Sequence, residues 1–132
     1  MSASTSQTTR PMSPHITIWR WGPAAVVSII HRAAGQGMTF VGLPVLLWFL
    51  AAVAGGEASY ATFQEQAGSW YGLVVLVGLS WAFFEHMASG LRHFVLDLGA
   101  GYELDTNNLW AWLVPVIAIA LTAVFWAAIL LR

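Results

Sequence analysis

Three stretches of this chain carry no formal charge and are each long enough to cross a lipid bilayer: residues 33–56, 66–84 and 106–131. A hydrocarbon core of about 30 Å needs about 20 consecutive apolar residues in helical form. Inside it every backbone polar group must be bonded within the protein, because no water is there to take its place. Only 8% of the residues are charged, against about 25% in an ordinary soluble domain. The chain therefore reads as an all-α membrane protein, a single transmembrane domain of three helices. Their expected limits are about 23–54, 68–98 and 107–131, after a segment 1–22 outside the membrane.

Three spans in 132 residues leave almost nothing to form a water-soluble active site. Chemistry must then lie in the bilayer, at its surface, or on partner subunits. Cysteine is absent, which excludes thiolate-bound iron–sulfur clusters and Cys-type zinc sites in this chain. A net charge of −1 gives no electrostatic case for nucleic acid.

All five basic residues are arginines. Arg10, Arg20 and Arg32 precede or open the first span, and Arg92 lies near the end of the second. The first loop holds Glu57 and Glu65 but no basic residue. By the positive-inside rule the N-terminus and second loop are cytoplasmic, and the first loop and C-terminus lie outside. Residues 1–9 are small and polar, without the apolar core of a signal peptide, and read as disordered. Pro11, Pro14, Trp19 and Trp21 punctuate a segment suited to the cytoplasmic membrane surface.

Pro23 suits the first turn of a helix. Pro44 and Pro115 mark kinks, Gly55-Gly56 and Gly99-Ala100-Gly101 mark helix ends, and Asn107 or Asn108 is the expected cap of the third span.

Within the second span, residues 85–97 read Glu-His-Met-Ala-Ser-Gly-Leu-Arg-His-Phe-Val-Leu-Asp. At about 100° per residue, His86, Gly90, His93 and Asp97 share one helix face. Ionisable groups at membrane depth cost roughly 2.5–3.5 kcal/mol each, so they are rarely ornamental. Two imidazoles flanking a glycine form a face that can hold a flat metal macrocycle, since heme iron accepts neutral imidazole. His86 and His93 stand about 10.5 Å apart on the same side. They cannot approach one iron from opposite faces, so a six-coordinate heme needs a second ligand from elsewhere. His86, the deeper of the two, is the better ligand. His93 and Arg92 suit heme propionates or phosphate-level anchoring. The alternative is that one histidine bonds only a carbonyl or a headgroup. Glu85 points about 100° away from His86 and needs a polar partner.

A second polar stripe lies in the first span: Ser28, Arg32, Gly35 and Thr39, with His31 to one side. Ser28 and Arg32, one turn apart, could bond a quinone carbonyl, and the arginine could stabilise negative charge developing there. Equally, the arginine can snorkel and the serine can bond its own helix. The glycines at 35, 37, 72 and 78 read as helix-packing positions.

Three blocks in order carry a resemblance: Arg10-Pro-Met-Ser-Pro-His-Ile-Thr-Ile-Trp19, Ser28-Ile-Ile-His-Arg-Ala-Ala-Gly35, and His86-x3-Gly90-x-Arg92-His93-x3-Asp97. Together they resemble the cytochrome b556 family, the larger membrane-anchor subunits of succinate dehydrogenase in respiratory complex II. The resemblance implies a heme-binding helical bundle shared with a smaller anchor subunit. It makes His86 the axial ligand of heme b, with the second ligand from that partner. It also implies that Ser28 and Arg32 belong to a ubiquinone site, and that His31, Arg32 and His93 lie near the propionates. Flavoprotein and iron–sulfur subunits would complete an assembly that oxidises succinate and passes electrons to ubiquinone. Glu85 departs from the family pattern, where an aromatic residue is common. The opening block resembles mitochondrial and related bacterial members, and with it a bacterial cytoplasmic membrane is expected in preference to a mitochondrial one. The competing reading is a structural anchor of a succinate dehydrogenase or fumarate reductase without a redox role. A transporter would need polar residues across the whole bilayer, whereas here they gather at one end of the spans.

Overall fold

A computed structural model describes residues 15, 16 and 18–131; the expectations for residues 1–14, Thr17 and Arg132, including most of the first resemblance block, lie outside the described residues. Among the described residues there are helices and no strands. The helices are α1 (Pro23–Gly37), α2 (Leu43–Ala54), α3 (Glu57–Gly68), α4 (Trp70–Asp97) and α5 (Leu104–Leu130). A π-helical turn, Met38–Gly42, joins α1 to α2 into one continuous 32-residue helix. That helix, α4 and α5 are each long and apolar enough to cross a membrane.

Pro23 opens α1 after an extended Gly22, where its missing N–H leaves nothing unpaired. The irregularity expected at Pro44 appears one turn earlier. Proline has no N–H to offer the carbonyl four residues back, and the helix widens before the ring, with the Leu43 N–H bonding Met38 O. Such π-turns are a recognised way for a helix to absorb a local defect. Gly56, at φ 85°, turns the chain in a conformation that favours glycine. Helix α3 then folds back on α2 through aromatic contacts, with Phe63 set 4.9 Å from Trp48 and 5.5 Å from Phe49. Ser69 caps α4 by accepting the Gly72 N–H at 3.1 Å. Gly72 is required there, since a Cβ would stand 2.1 Å from the Gln66 carbonyl.

Helix α5 starts earlier than expected. Glu103 occupies the N-cap position, so neither Asn107 nor Asn108 caps it. The Asn107 N–H already bonds the Glu103 carbonyl, and its side chain is used elsewhere. Gly99 and Gly101, both at positive φ, make the α4–α5 turn. The helix runs unbroken through Pro115.

Helices α1, α4 and α5 pack on one another, and the contact is made by small side chains. Val27, Ala88, Ala111 and Val114 form the core cluster, with Ala34, Ala82 and Ala118 buried alongside. Short side chains let helix backbones approach closely, the arrangement that dispersion favours where no hydrophobic effect drives association. The large apolar residues point outward.

Candidate functional site

The α1–α4 contact gathers three imidazoles. The rings of His31 and His86 stack with centroids 4.0 Å apart and planes 11° from parallel. His93, two turns along α4 from His86, has its ring 5.0 Å from that of His31. All three are half-buried, so the cluster lies at the rim of the bundle and not in its centre.

Hydrogen bonding sets the state of two of these rings. His86 Nδ1 stands 3.1 Å from the His31 carbonyl oxygen. A carbonyl only accepts, so Nδ1 is the donor, and the tautomer with its proton there carries the lone pair on Nε2. That is the arrangement a metal-ligating histidine needs, with its far nitrogen tied to a carbonyl and its orientation fixed. His93 Nδ1 bonds the Ser89 carbonyl at 2.8 Å, within its own helix. The two histidines thus differ in anchorage: His86 is braced across helices, His93 only along its own.

A glycine shapes one side of the His86 ring. Gly35 on α1 faces it directly, and a Cβ there would meet His86 Cε1 at 2.8 Å. Gly90, on the His86 face of α4, has open space where its side chain would be. The expectation that Gly35 serves a close helix contact is met, and the partner in that contact is His86. Among the described residues no group of three or more His, Cys, Asp or Glu side chains could hold a metal ion.

Ser28 and Arg32 are exposed on α1, on the same face as Gly35. The polar faces of α1 and α4 consequently meet where Gly35 touches His86. Thr39, at the end of that stripe, bonds the Gly35 carbonyl at 3.0 Å and is spoken for.

Arg92 does not join the histidine face. One residue short of His93, it is turned about 100° around the helix, into the bundle, where it is 9% exposed. There its guanidinium donates to the Asn107 side-chain oxygen on α5. Glu85 and Ser89 share that buried face, both at 0% exposure. Neither the Glu85 carboxyl oxygens, the Ser89 hydroxyl nor Arg92 Nε has a hydrogen-bond partner among the described residues. Burying polar groups without partners is uncommon. Sequence reasoning noted Glu85 but missed this Glu–Ser–Arg column, although its i, i+4, i+7 spacing was available. A mostly apolar cavity of about 240 Å³ between α4 and α5, bounded by Arg92, Asn107, Val95 and Leu121, lies away from the histidines.

Residues 6–125 match the family model described as succinate dehydrogenase/fumarate reductase transmembrane subunit. The chain belongs to this family. The succinate dehydrogenase cytochrome b556 subunit of Paracoccus denitrificans is 33% identical over 103 residues, covering 78% of each chain. That of Rickettsia felis is 32% identical over 117 residues, covering 89% of this chain and 90% of its own. The mitochondrial cytochrome b560 subunit of Mus musculus is 30% identical over 84% of this chain and 65% of its own length. The chain is thus a membrane subunit of the succinate dehydrogenase/fumarate reductase family, and the second and third resemblance blocks fall on the two helices that meet at the imidazole cluster.

Proposed function

We propose that this chain is the heme b-carrying membrane-anchor subunit of a succinate:quinone oxidoreductase, with His86 as its axial ligand. The observation that carries the reading is the His86 Nδ1 bond to the His31 carbonyl, which leaves Nε2 available to iron. Gly90, one turn along the same face, has open space around it; His31 and His93, whose rings lie by His86, and Arg32 would serve as partners for propionates. When bound, the heme supplies a one-electron donor and acceptor within the bilayer. A smaller anchor subunit packed over the open histidine face would supply the other residue that holds the heme.

Ser28 and Arg32 form the quinone-facing pair. Both are exposed, one turn apart, and neither is engaged within the described chain. The serine hydroxyl and guanidinium donate to one quinone carbonyl oxygen, and the arginine charge stabilises the negative charge that reduction places there. Electrons arrive from an iron–sulfur subunit, itself fed by a flavoprotein that oxidises succinate. Exposed Trp19, Arg20 and Trp21, at the cytoplasmic end of α1, lie on the side these subunits cover. The setting is a bacterial cytoplasmic membrane, with ubiquinone as the acceptor, and the chain has no succinate-oxidising activity alone.

The deciding experiment compares reduced-minus-oxidised spectra of the purified complex carrying His86→Ala or His93→Ala. Loss of the b-type bands is expected only with His86→Ala, whereas His93→Ala should shift the potential. Intact bands in the first and lost bands in the second would reverse the assignment. Absence of any b-type band in the native complex would leave a structural anchor.

A further inference from the structure

We propose that Gly35 is a positioning residue: the bare backbone at this point of α1 forms the notch that seats the His86 imidazole and fixes its plane. This rests on the reading of His86 as an axial ligand. An ideal Cβ on Gly35 would stand 2.8 Å from Cε1 and 3.1 Å from Nδ1 of His86, well inside the roughly 3.5–4.0 Å of normal carbon contact. The ring has little freedom to yield. Its Nδ1 is held at 3.1 Å by the His31 carbonyl, and its face lies against the His31 ring at 4.0 Å.

The notch and the hydrogen bond have a common cause. In an α-helix each Cα–Cβ bond tilts toward the N-terminus, so a side chain lies over the preceding turn. A side chain at position 35 would cover the turn that contains the His31 carbonyl, four residues back. With glycine there, that carbonyl is left open to a second donor from another helix. Gly35 therefore acts twice on His86, by making room for the ring and by exposing the acceptor that sets its tautomer. Through both it determines how Nε2 meets the iron.

Gly37 and Gly90 supply the contrast, since a Cβ at either meets nothing within 4 Å in this chain. Gly37 sits two residues from Gly35 in the same helix, so it controls for the general effect of replacing a helical glycine.

The test uses the full complex bearing Gly35→Ala, Gly37→Ala or His86→Ala. Assembly is followed by succinate oxidation with a soluble dye, and the heme by visible spectrum, electron paramagnetic resonance and midpoint potential. Gly35→Ala is expected to assemble and to lose low-spin heme or to shift its g-values and potential. Gly37→Ala should match the wild type. Wild-type heme properties in Gly35→Ala, or the same shift in Gly37→Ala, overturn the proposal. If Gly35→Ala fails to assemble, the double variant Gly35→Ala/His86→Ala decides, because contacting residues show coupling that independent ones lack. Removing the ring should restore assembly if the ring is what the new methyl strikes; no rescue overturns the notch. Heme retained in His86→Ala would instead defeat the ligand reading, and the double variant would still report whether Gly35 seats the ring.

Discussion

Helix α4 carries polar side chains on two faces about 100° apart, and the bundle treats them in opposite ways. On one face His86 and His93 are half-buried and Gly90 has open space beside it. On the other, Glu85, Ser89 and Arg92 are sealed among the small residues of α1 and α5. The histidine face is braced by a bond from another helix and stays half-exposed. The other face is turned into the bundle, and among the described residues its side-chain bond joins Arg92 to Asn107. Polarity in a membrane helix therefore does not by itself say whether a face is open to a ligand; the packing decides that.

The largest effect that sharpens this comparison is expected on the open side. Arg32→Leu and Ser28→Ala should lower succinate-to-quinone turnover about 10- to 150-fold, the equivalent of roughly 1.5–3 kcal/mol for a hydrogen bond involving a charged group. Succinate oxidation by a soluble dye should persist. Unchanged quinone turnover would remove the pair from the site, and equal loss of both activities would point to failed assembly.

On the sealed side a loss of polarity should help. Glu85→Leu removes a fully buried carboxyl that has no partner among the described residues, so the complex should gain about 1–3 kcal/mol. Thermal melting in detergent measures it, with quinone turnover retained. A lower melting temperature would mean that Glu85 is bonded in the complex and that the two faces are less different than they look.

The smallest effect belongs to Thr122, buried on α5 with its hydroxyl bonded to the Ala118 carbonyl of its own helix at 2.7 Å. Thr122→Val should change stability by less than about 0.6 kcal/mol, the average for a side-chain bond between helices in a membrane protein. A cost of several times that would show the hydroxyl acting between helices.

Much of this architecture was legible in the chain. Uncharged length gave three spans, Pro23 and the glycine pairs gave their ends, and 100° spacing put His86, Gly90 and His93 on one face. The helix start at Leu104 was not legible, because Asn107 and Asn108 resemble a cap and only the Arg92 contact explains why Asn107 lies inside the helix. Arg92 itself was misplaced with its neighbour His93, since adjacency in sequence hides a turn of 100° in space.

The sequence by itself determined which residues could face each other along a helix, because periodicity is local and bilayer thickness fixes length. What only the tertiary structure decided was the rotation and depth of each helix against the others. That rotation brings Gly35 onto the His86 ring and the His31 carbonyl onto Nδ1, and it closes α5 over Arg92. These contacts join positions far apart in the chain through side-chain shape, and no one-dimensional pattern encodes how three such surfaces interlock.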